Sequence, residues 1–252
     1  ATTLRMWAGD PSGDFFYRGE MAKAMAAIAG DNAFRKGRLR ISDLANYQAV
    51  YREPLRGSYR DHELAAFPPP TSGGVTLLEI LGLMETREPL AGDLSDEERL
   101  VEHLDRLARA SRTAFADRDR WLGDPDWAPD LPMRDLCGPA WIADRAPATF
   151  DANSDLALAA TPGELEKHTT HFSVVDAAGS MLACTSTIET TFGSAQVVPG
   201  YGFLLHNELT DFNWVPNPDA PRRNDIEGGR KKRPGDLRPP RRRGGERPGT
   251  RP

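Results

Sequence analysis

The sequence lacks most of the features that mark a membrane, disulfide-bonded or metal-binding protein. No apolar run is long enough to cross a bilayer, and Ala1 to Asp10 has neither the basic start nor the apolar core of a signal peptide. Two cysteines, Cys137 and Cys184, are too few for a disulfide framework, and the five histidines show no metal-ligand spacing. No glycine-rich phosphate loop is present. We therefore expect no membrane span, metal or cofactor, and the compartment stays open because the sequence does not begin with Met.

Charge divides the sequence into an acidic body and a basic tail. The net charge is −5, but residues 222–252 contain twelve Lys or Arg against four Asp or Glu, so this tail carries +8 and the remainder −13. With 39% hydrophobic and 8% aromatic residues, the chain has the composition of a globular protein. The Pro, Gly and Arg content of the tail predicts disorder. An arm that binds nucleic acid or an acidic membrane is the alternative, but the tail has no aromatic residue for base stacking, so we expect no nucleic-acid partner.

The spacing of apolar residues in the body predicts a mixed α and β protein. Helical spacing and strand-like alternation both occur, separated by turn signals. Cys184 falls in an alternating stretch and is expected to be buried. The predicted elements are helices over 14–29, 75–85 and 96–117, a strand pair over 55–67, a turn-rich region over 118–149, an exposed linker over 151–167, a hairpin of 170–175 and 180–188 around a turn at 176–179, and a strand over 202–206.

The segment that follows the linker carries a candidate nucleophile. Thr169 stands at the start of the predicted hairpin, and a Thr hydroxyl attacks efficiently only when a base accepts its proton. If the chain were cut before Thr169, its own α-amino group, with a pKa of about 8, would serve as that base. An exposed linker that leads into a rigid strand suits such self-cleavage. From this segment alone the simpler interpretation is preferred, namely that Thr169 and Thr170 open a strand, where Thr is favoured.

Six separated segments form a consistent series of motifs. In order and in spacing they resemble the γ-glutamyltransferases (γ-glutamyltranspeptidases), and the resemblance extends over about residues 3–213. Agreement between separated motifs favours the interpretation that Thr169 is a nucleophile over the interpretation that it only opens a strand. The segments are 16–19 (FYRG), 41–44 (ISDL), 68–74 (PPPTSGG, similar to the family's Pro-Pro-Ser-Ser-Gly-Gly), 169–176 (TTHFSVVD), 187–193 (TIETTFG) and 202–212 (GFLLHNELTDF).

The resemblance implies an α+β fold, the N-terminal-nucleophile hydrolase sandwich in which two β-sheets lie between helical layers (αββα), here incomplete at both ends. It also implies a precursor that cleaves itself between His168 and Thr169 into a large and a small subunit. Residues 1–168 would be the C-terminal part of the large-subunit region and 169–221 the start of the small-subunit region. Residues 222–252 would be a tail that is disordered or out of frame. Members of the family are often periplasmic or extracellular.

The reaction and its residues are likewise implied by the resemblance. Thr169 would attack the γ-amide of glutathione or a related small γ-glutamyl compound, and the γ-glutamyl group would pass to water or to an amino-acid or peptide amine. By position, Thr187 would support the nucleophile, while Glu208 and Asp211 would hold the substrate α-ammonium as carboxylate acceptors. Glu189 occupies a substrate-binding position where the transferases commonly have Asn, and ionised Glu can only accept hydrogen bonds. The cephalosporin (glutaryl) acylases vary at this position and are the nearest alternative.

Several elements of the family pattern cannot be assigned in this sequence. In the family, an Arg of the early large subunit and a Ser-Ser pair hold the substrate α-carboxylate, and a Gly-Gly pair forms the oxyanion hole. Residues 228–234 (GGRKKRP) resemble the approach to the Ser-Ser pair, but an Arg- and Pro-rich run follows, so we hypothesise a frameshift near Gly229. Losing one oxyanion-hole donor typically costs about 3 kcal/mol in the barrier. We therefore expect this chain alone to be inactive, and a non-catalytic truncated product is the second alternative.

Overall fold

The computed structural model describes residues 2–30, 37–90, 95–126, 128, 132–151 and 169–212. The described residues form two compact units. The first consists of the described residues within 2–53 together with 169–212, and the second consists of those within 54–151. The helices are α1 (Thr2–Gly9), α2 (Asp14–Tyr17), α3 (Glu20–Gly30), α4 (Ile41–Ala45), α5 (Gly73–Glu85), α6 (Glu97–Trp121) and α7 (Pro139–Phe150); the strands are β1 (Leu55–Tyr59), β2 (His62–Ala66), β3 (Thr169–Val175) and β4 (Met181–Thr187); short 3₁₀ turns cover Asp135–Cys137 and Glu208–Asp211.

The mixed α+β composition predicted from the sequence is confirmed. Within the described ranges there are two antiparallel two-stranded sheets, β1 with β2 and β3 with β4. The complete αββα sandwich is not evident in this part of the chain. The linker predicted over 151–167 lies outside the described residues apart from Asp151, and the basic tail lies wholly outside them. No helix in the described ranges is both long enough and apolar enough to span a membrane.

The first unit has a small core between α3 and the loop that follows β4. Met21 on α3 and Val198 in the loop are fully buried against each other. Gln196 in the same loop donates a hydrogen bond from Nε2 to the carbonyl oxygen of Ile28 over 2.8 Å. Because these partners are 168 residues apart in sequence, the contact attaches the segment after the hairpin to the N-terminal helices.

The single helix predicted over 14–29 is wrong, because the chain forms two helices, α2 and α3, separated at Arg18 and Gly19. The backbone of Arg18 is no longer helical, since its φ is −129°. A Cβ on Gly19 would lie 2.8 Å from the carbonyl oxygen of Phe15, so the glycine permits a close turn that a larger residue would block. The apolar spacing that predicted one helix comes from two helices that contribute to the same cluster, in which Phe15 of α2 is partly buried and Met21 of α3 is fully buried.

The strand predicted over 202–206 is also wrong. The segment makes only an isolated antiparallel bridge between Val197 and Leu204. Gly200 and Gly202 have φ of 80° and 69°, values that side-chain-bearing residues rarely adopt, so the backbone turns back on itself at this point. A short apolar run therefore forms a tight loop here instead of an extended ladder.

The hairpin of β3 and β4 confirms the strand pair that the alternation predicted. Its register pairs Thr169 with Thr187 at the open end and Val175 with Met181 at the turn. In the turn, the carboxylate of Asp176 accepts hydrogen bonds from the backbone N–H groups of Ala178 and Ser180, at 2.9 and 2.8 Å. These bonds, the one from Ser180 above all, hold the pKa of Asp176 below its usual value.

Both faces of this hairpin are exposed in the described structure. Phe172 on one face is 48% exposed, and Met181 on the other is 83% exposed. Cys184, which we expected to be buried, is only partly buried. The prediction is wrong, because among the described helices and strands none packs a layer onto either face of the hairpin.

The second unit is built around α5. Val75 and Leu78 on this helix pack against Leu55 of β1, and Leu83 packs against α6 and α7 in a separate cluster. At the start of the helix, a Cβ on Gly74 would lie 2.1 Å from the carbonyl oxygen of Phe67. Of the two glycines in the 68–74 segment, Gly74 is therefore the one that the close approach of the helix to the preceding chain requires.

The turn-rich region predicted over 118–149 is confirmed only in the described part of 122–138 and is wrong at both ends, because α6 continues to Trp121 and α7 covers Pro139–Phe150. Pro139 occupies the first turn of α7, where the missing N–H of proline costs nothing. The helix predicted over 96–117 is confirmed in its start, where the Asp96 carboxylate accepts the N–H of Arg99 over 3.1 Å.

Candidate active site

The predicted nucleophile lies at the open end of the β3–β4 hairpin. Thr169 is the first residue of β3 and stands directly opposite Thr187, the last residue of β4. In an antiparallel pair, the Cβ atoms of directly opposed residues are about 5 Å apart and project from the same face. The register thus brings together two hydroxyl side chains that are separated by almost the whole hairpin in sequence. Both are exposed.

The face of the hairpin that carries Thr169 is polar near this end. His171, two residues along β3, has its Nδ1 atom 2.8 Å from the hydroxyl oxygen of Thr185. Its Nε2 atom is 3.3 Å from the hydroxyl oxygen of Ser173. A neutral imidazole satisfies both contacts by donating from one ring nitrogen and accepting at the other. Sequence reasoning had not assigned His171 a role, although the period of two places it on the same face as Thr169.

Glu189 follows β4 in an unusual backbone conformation. Its φ is 76°, in the left-handed region, and its side chain is only 6% exposed. The backbone N–H of Glu189 donates to the hydroxyl oxygen of Thr187 over 2.9 Å. A residue with a Cβ in this region costs about 1 kcal/mol or more, and such strain is often found at functional sites. Because two residues span at most about 7 Å, the Cα atom of Glu189 lies close to that of Thr187, and so to the Thr169–Thr187 pair.

The turn Glu208–Asp211 is tied to Glu189 through Thr210. The hydroxyl of Thr210 donates to Oε1 of Glu189 over 3.1 Å. Glu208, which is partly buried, opens this turn and Asp211 closes it. The structure therefore brings the segments of all three predicted substrate-binding carboxylates together; the side chain of Asp211 lies outside the described atoms. His168, on the other side of the predicted cleavage bond, also lies outside the described residues.

Asn207 connects two turns, the one that follows β4 at 188–193 and the one at Glu208–Asp211. Its Oδ1 atom accepts the backbone N–H of Thr190 at 3.1 Å and the hydroxyl of Thr190 at 3.2 Å. Its backbone N–H donates to the carbonyl oxygen of Ile188 over 3.3 Å, and its Nδ2 group donates to the hydroxyl oxygen of Thr210 over 3.3 Å. Sequence reasoning missed Asn207 and Thr210, whose only signal was their place within the 202–212 motif.

Gly193 allows the two turns to approach. Its φ is 54°, and a Cβ there would lie 2.2 Å from the carbonyl oxygen of Leu205. That same oxygen accepts the backbone N–H of Ser194 at 2.8 Å and its hydroxyl at 3.0 Å. The glycine thus allows the 187–193 and 202–212 motifs to come into direct backbone contact.

Comparison with known proteins shows the class of protein to which this site belongs. A family model described as Gamma-glutamyltranspeptidase matches residues 1–242, nearly the whole chain. The chain therefore belongs to the γ-glutamyltranspeptidase family, as the six motifs predicted.

Individual relatives agree with this assignment. The chain is 38% identical over 218 residues to the glutathione hydrolase proenzyme of Pseudomonas aeruginosa, covering 86% of this chain and 38% of that protein. It is 32% identical over 218 residues to the acylase ACY 1 proenzyme of Pseudomonas sp. (strain SE83), covering 86% of this chain and 37% of that protein. The chain thus spans less than half the length of these relatives.

A solved structure resembles the described fold. The γ-glutamyltranspeptidase from Pseudomonas nitroreducens, solved in complex with L-DON, matches with a TM-score of 0.50 and 32% sequence identity. The match covers 58% of this chain and 42% of that one. The family assignment therefore rests on sequence and on shared architecture together.

Proposed function

We propose that this chain carries the nucleophile region of a self-processing γ-glutamyltransferase that cleaves itself between His168 and Thr169. The observation that carries the proposal is the register of the hairpin, which sets Thr169 at the first position of a strand and directly opposite Thr187. The exposed hairpin faces support the view that β3 and β4 are strands of an αββα sandwich whose other parts lie elsewhere in the protein. In this proposal residues 1–168 belong to the large-subunit region, 169–221 begin the small-subunit region, and both subunits come from one precursor.

The chemistry follows from the position of Thr169. Its hydroxyl oxygen attacks the carbonyl carbon of His168, the peptide C–N bond breaks, and the acyl group moves from nitrogen to oxygen as an ester. Water hydrolyses the ester, which leaves a free carboxylate on His168 and a free α-amino group on Thr169. That amino group, with a pKa of about 8, then accepts the hydroxyl proton in the transfer reaction. Thr187 helps to hold this end of the hairpin, because its hydroxyl oxygen also accepts the N–H of Glu189.

In the transfer reaction, the Thr169 hydroxyl oxygen attacks the γ-amide carbonyl of glutathione or a related compound. The C–N bond breaks, the amine leaves with the proton taken from the hydroxyl, and a γ-glutamyl ester remains on Thr169. Water or the amine of an amino acid or peptide then attacks this ester and regenerates the hydroxyl. The proposal requires no metal or cofactor.

The three carboxylates favour a substrate that carries an ammonium group. Glu189 is buried and fixed by Thr210, and Glu208 and Asp211 lie in the turn that contains Thr210. Carboxylates accept hydrogen bonds from an ammonium group and offset the cost of removing its charge from water. A γ-glutamyl group has this ammonium, whereas a glutaryl group does not. Glu189 is therefore better matched to the transferase reaction than to that of a glutaryl acylase.

The acylase alternative is tested with two ligands that differ only in this group. L-Glutamate and glutarate are titrated separately into the ¹⁵N-labelled chain, and the backbone signals of residues 187–193 and 206–211 are followed by NMR. We expect L-glutamate to shift these signals more strongly than glutarate, and the difference to disappear in Glu189→Gln. Equal shifts with both ligands, or stronger shifts with glutarate, would favour the acylase reaction. No shift with either ligand would contradict the substrate-binding role of this cluster.

A further inference from the structure

A buried cluster of charged and polar side chains lies in the second unit, away from every residue of the candidate active site in sequence. It consists of Glu79 on α5, Asp117 on α6, and Trp141 and Arg145 on α7. The side chain of Glu79 is fully buried and that of Asp117 is 1% exposed. Two acidic side chains are thus removed from water where three helices meet, which is costly unless their charges are neutralised.

The two carboxyl groups converge on one donor. Trp141 Nε1 lies 3.1 Å from Oε1 of Glu79 and 3.3 Å from Oδ2 of Asp117. A single indole N–H therefore points between the two carboxyl groups and is shared by them. If both groups were ionised, two negative charges would lie side by side within hydrogen-bonding distance of the same nitrogen, in a site without water access.

The nearby cation is already used by one of the two carboxylates. Arg145 donates from Nε to Oδ2 of Asp117 over 2.7 Å, and from Nη2 to Oδ1 of the same group. This two-point contact neutralises Asp117 and leaves Glu79 without a salt-bridge partner of its own among the described residues. The second oxygen of Glu79, Oε2, is buried and has no donor within hydrogen-bonding distance in the described structure.

The remaining charged groups near Glu79 add no net positive charge, because Arg134 and Asp135, both exposed, act on the neighbouring Cys137 in opposite directions. Cys137, in the 3₁₀ turn packed on α5, has a thiol whose pKa is raised, by burial first and then by the charge of Glu79. Asp144 on α7 also acts on Arg145, but it is exposed to solvent. Within the cluster the balance is therefore one guanidinium against two buried carboxyl groups, and a proton neutralises the excess negative charge.

We propose that Glu79 and Asp117 share one proton at neutral pH, and that this proton holds α5, α6 and α7 together, so that alkaline conditions loosen the second unit. The proton on Oε2 of Glu79 lets that oxygen donate to the Asp117 carboxylate, which remains paired with Arg145. The cluster then has one positive and one negative charge, with its buried oxygens satisfied. Removal of the proton leaves a second buried negative charge, which Trp141 and Arg145, both already engaged with Asp117, compensate only in part.

The direction of the pH effect follows from the pKa of Glu79. Burial, and then its hydrogen bond to Asp117 and the charge of Asp117, raise this pKa from 4.5 to about 8. Between these values the folded chain keeps a proton that the unfolded chain has lost. The stabilisation is therefore complete below about pH 4.5, declines as the pH rises towards 8, and is lost above 8.

The test compares the full chain with Glu79→Gln and with Glu63→Gln over pH 5 to 9. Gln can donate and accept as the protonated Glu does, but it cannot lose a proton, whereas Glu63 is an exposed residue of β2 in the same unit. We expect the folding equilibrium constant of the wild-type chain, measured by urea unfolding, to fall relative to Glu79→Gln by up to tenfold per pH unit below pH 8. Glu63→Gln should keep the wild-type profile. Parallel profiles for the wild-type chain and Glu79→Gln would overturn the proposal.

A direct titration keeps the test independent of unfolding. The side-chain carboxyl carbon of Glu79, followed by ¹³C NMR in the wild-type chain, should change between pH 7 and 9. In Asp117→Asn the change should move to lower pH, because Arg145 is released to Glu79 and the neighbouring carboxylate is gone. A Glu79 carboxyl that titrates in the ordinary range near pH 4.5 would overturn the proposal, as would a titration that Asp117→Asn leaves unchanged.

Discussion

Replacing Gly193 with Ala should separate the two turns that carry the candidate carboxylates. A Cβ at this position would lie 2.2 Å from the carbonyl oxygen of Leu205, whereas ordinary contact begins at 3.4 Å, so one of the two segments must move. The movement breaks the hydrogen bonds from Ser194 N–H and Ser194 Oγ to the same oxygen, which contribute about 1 kcal/mol each. A left-handed φ adds about 1 kcal/mol for any residue with a Cβ. The contact between the two turns should therefore become less stable by about 3 kcal/mol.

Gly179 provides the matched control. It also has a positive φ, of 85°, but a Cβ there would have no atom within 4 Å. Gly179→Ala should therefore cost only the conformational part, about 1 kcal/mol. Hydrogen exchange of the backbone amides in 188–206 measures the difference: about 100-fold faster exchange is expected in Gly193→Ala, and less than tenfold in Gly179→Ala. Equal exchange in the two variants would refute the claim that close backbone contact holds the two turns together.

Two further changes probe the second unit and the activity of the chain. Leu83→Ala should lower the free energy of unfolding in urea by about 2–5 kcal/mol, because Leu83 of α5 is fully buried against α6 and α7. Leu104→Ala, at a position that is 52% exposed, should change it by less than about 0.5 kcal/mol. Similar losses in the two variants would contradict the packing described for this cluster. The 252-residue chain alone should release no product at a useful rate from a chromogenic γ-glutamyl anilide. The reason is that neither the residues that hold the substrate α-carboxylate in the family nor the Gly-Gly pair of the oxyanion hole can be assigned in its sequence. Steady release that disappears in Thr169→Ala would contradict this expectation.

The hairpin could be predicted from sequence because its signals are local. Alternation with a period of two and a Gly-containing turn define a strand pair within one short segment. The exact register is different, because a turn over 176–179 would place Thr169 opposite Ser186, whereas Ser180 also belongs to the turn and Thr169 lies opposite Thr187. The break between α2 and α3 had no comparable signal, since it depends on the space available at Gly19, which is a property of the folded chain.

The contacts that hold the candidate site together could not be predicted in the same way. The hydrogen bond from Thr210 to Glu189 joins residues 21 apart, and the bond from Trp141 to Glu79 joins residues 62 apart. A sequence pattern gives the face on which each residue lies, but it does not state which polar partner a buried side chain meets. The motifs identified Glu189, Glu208 and Asp211 as a group through family resemblance, while the roles of Asn207 and Thr210 became visible only through their hydrogen bonds.

The central claim is that Thr169 is the nucleophile that cleaves the chain. Its most direct test is intact-mass analysis and N-terminal sequencing of the purified chain after incubation, with Thr169→Ala and Thr170→Ala in parallel. Thr170 is the matched control because it is the adjacent Thr, on the opposite face of β3. The account predicts a new fragment that begins Thr-Thr-His-Phe-Ser in the wild-type chain, a corresponding cleavage in Thr170→Ala, and an intact chain in Thr169→Ala. A wild-type chain that stays intact on long incubation, or cleavage that persists in Thr169→Ala, would contradict it.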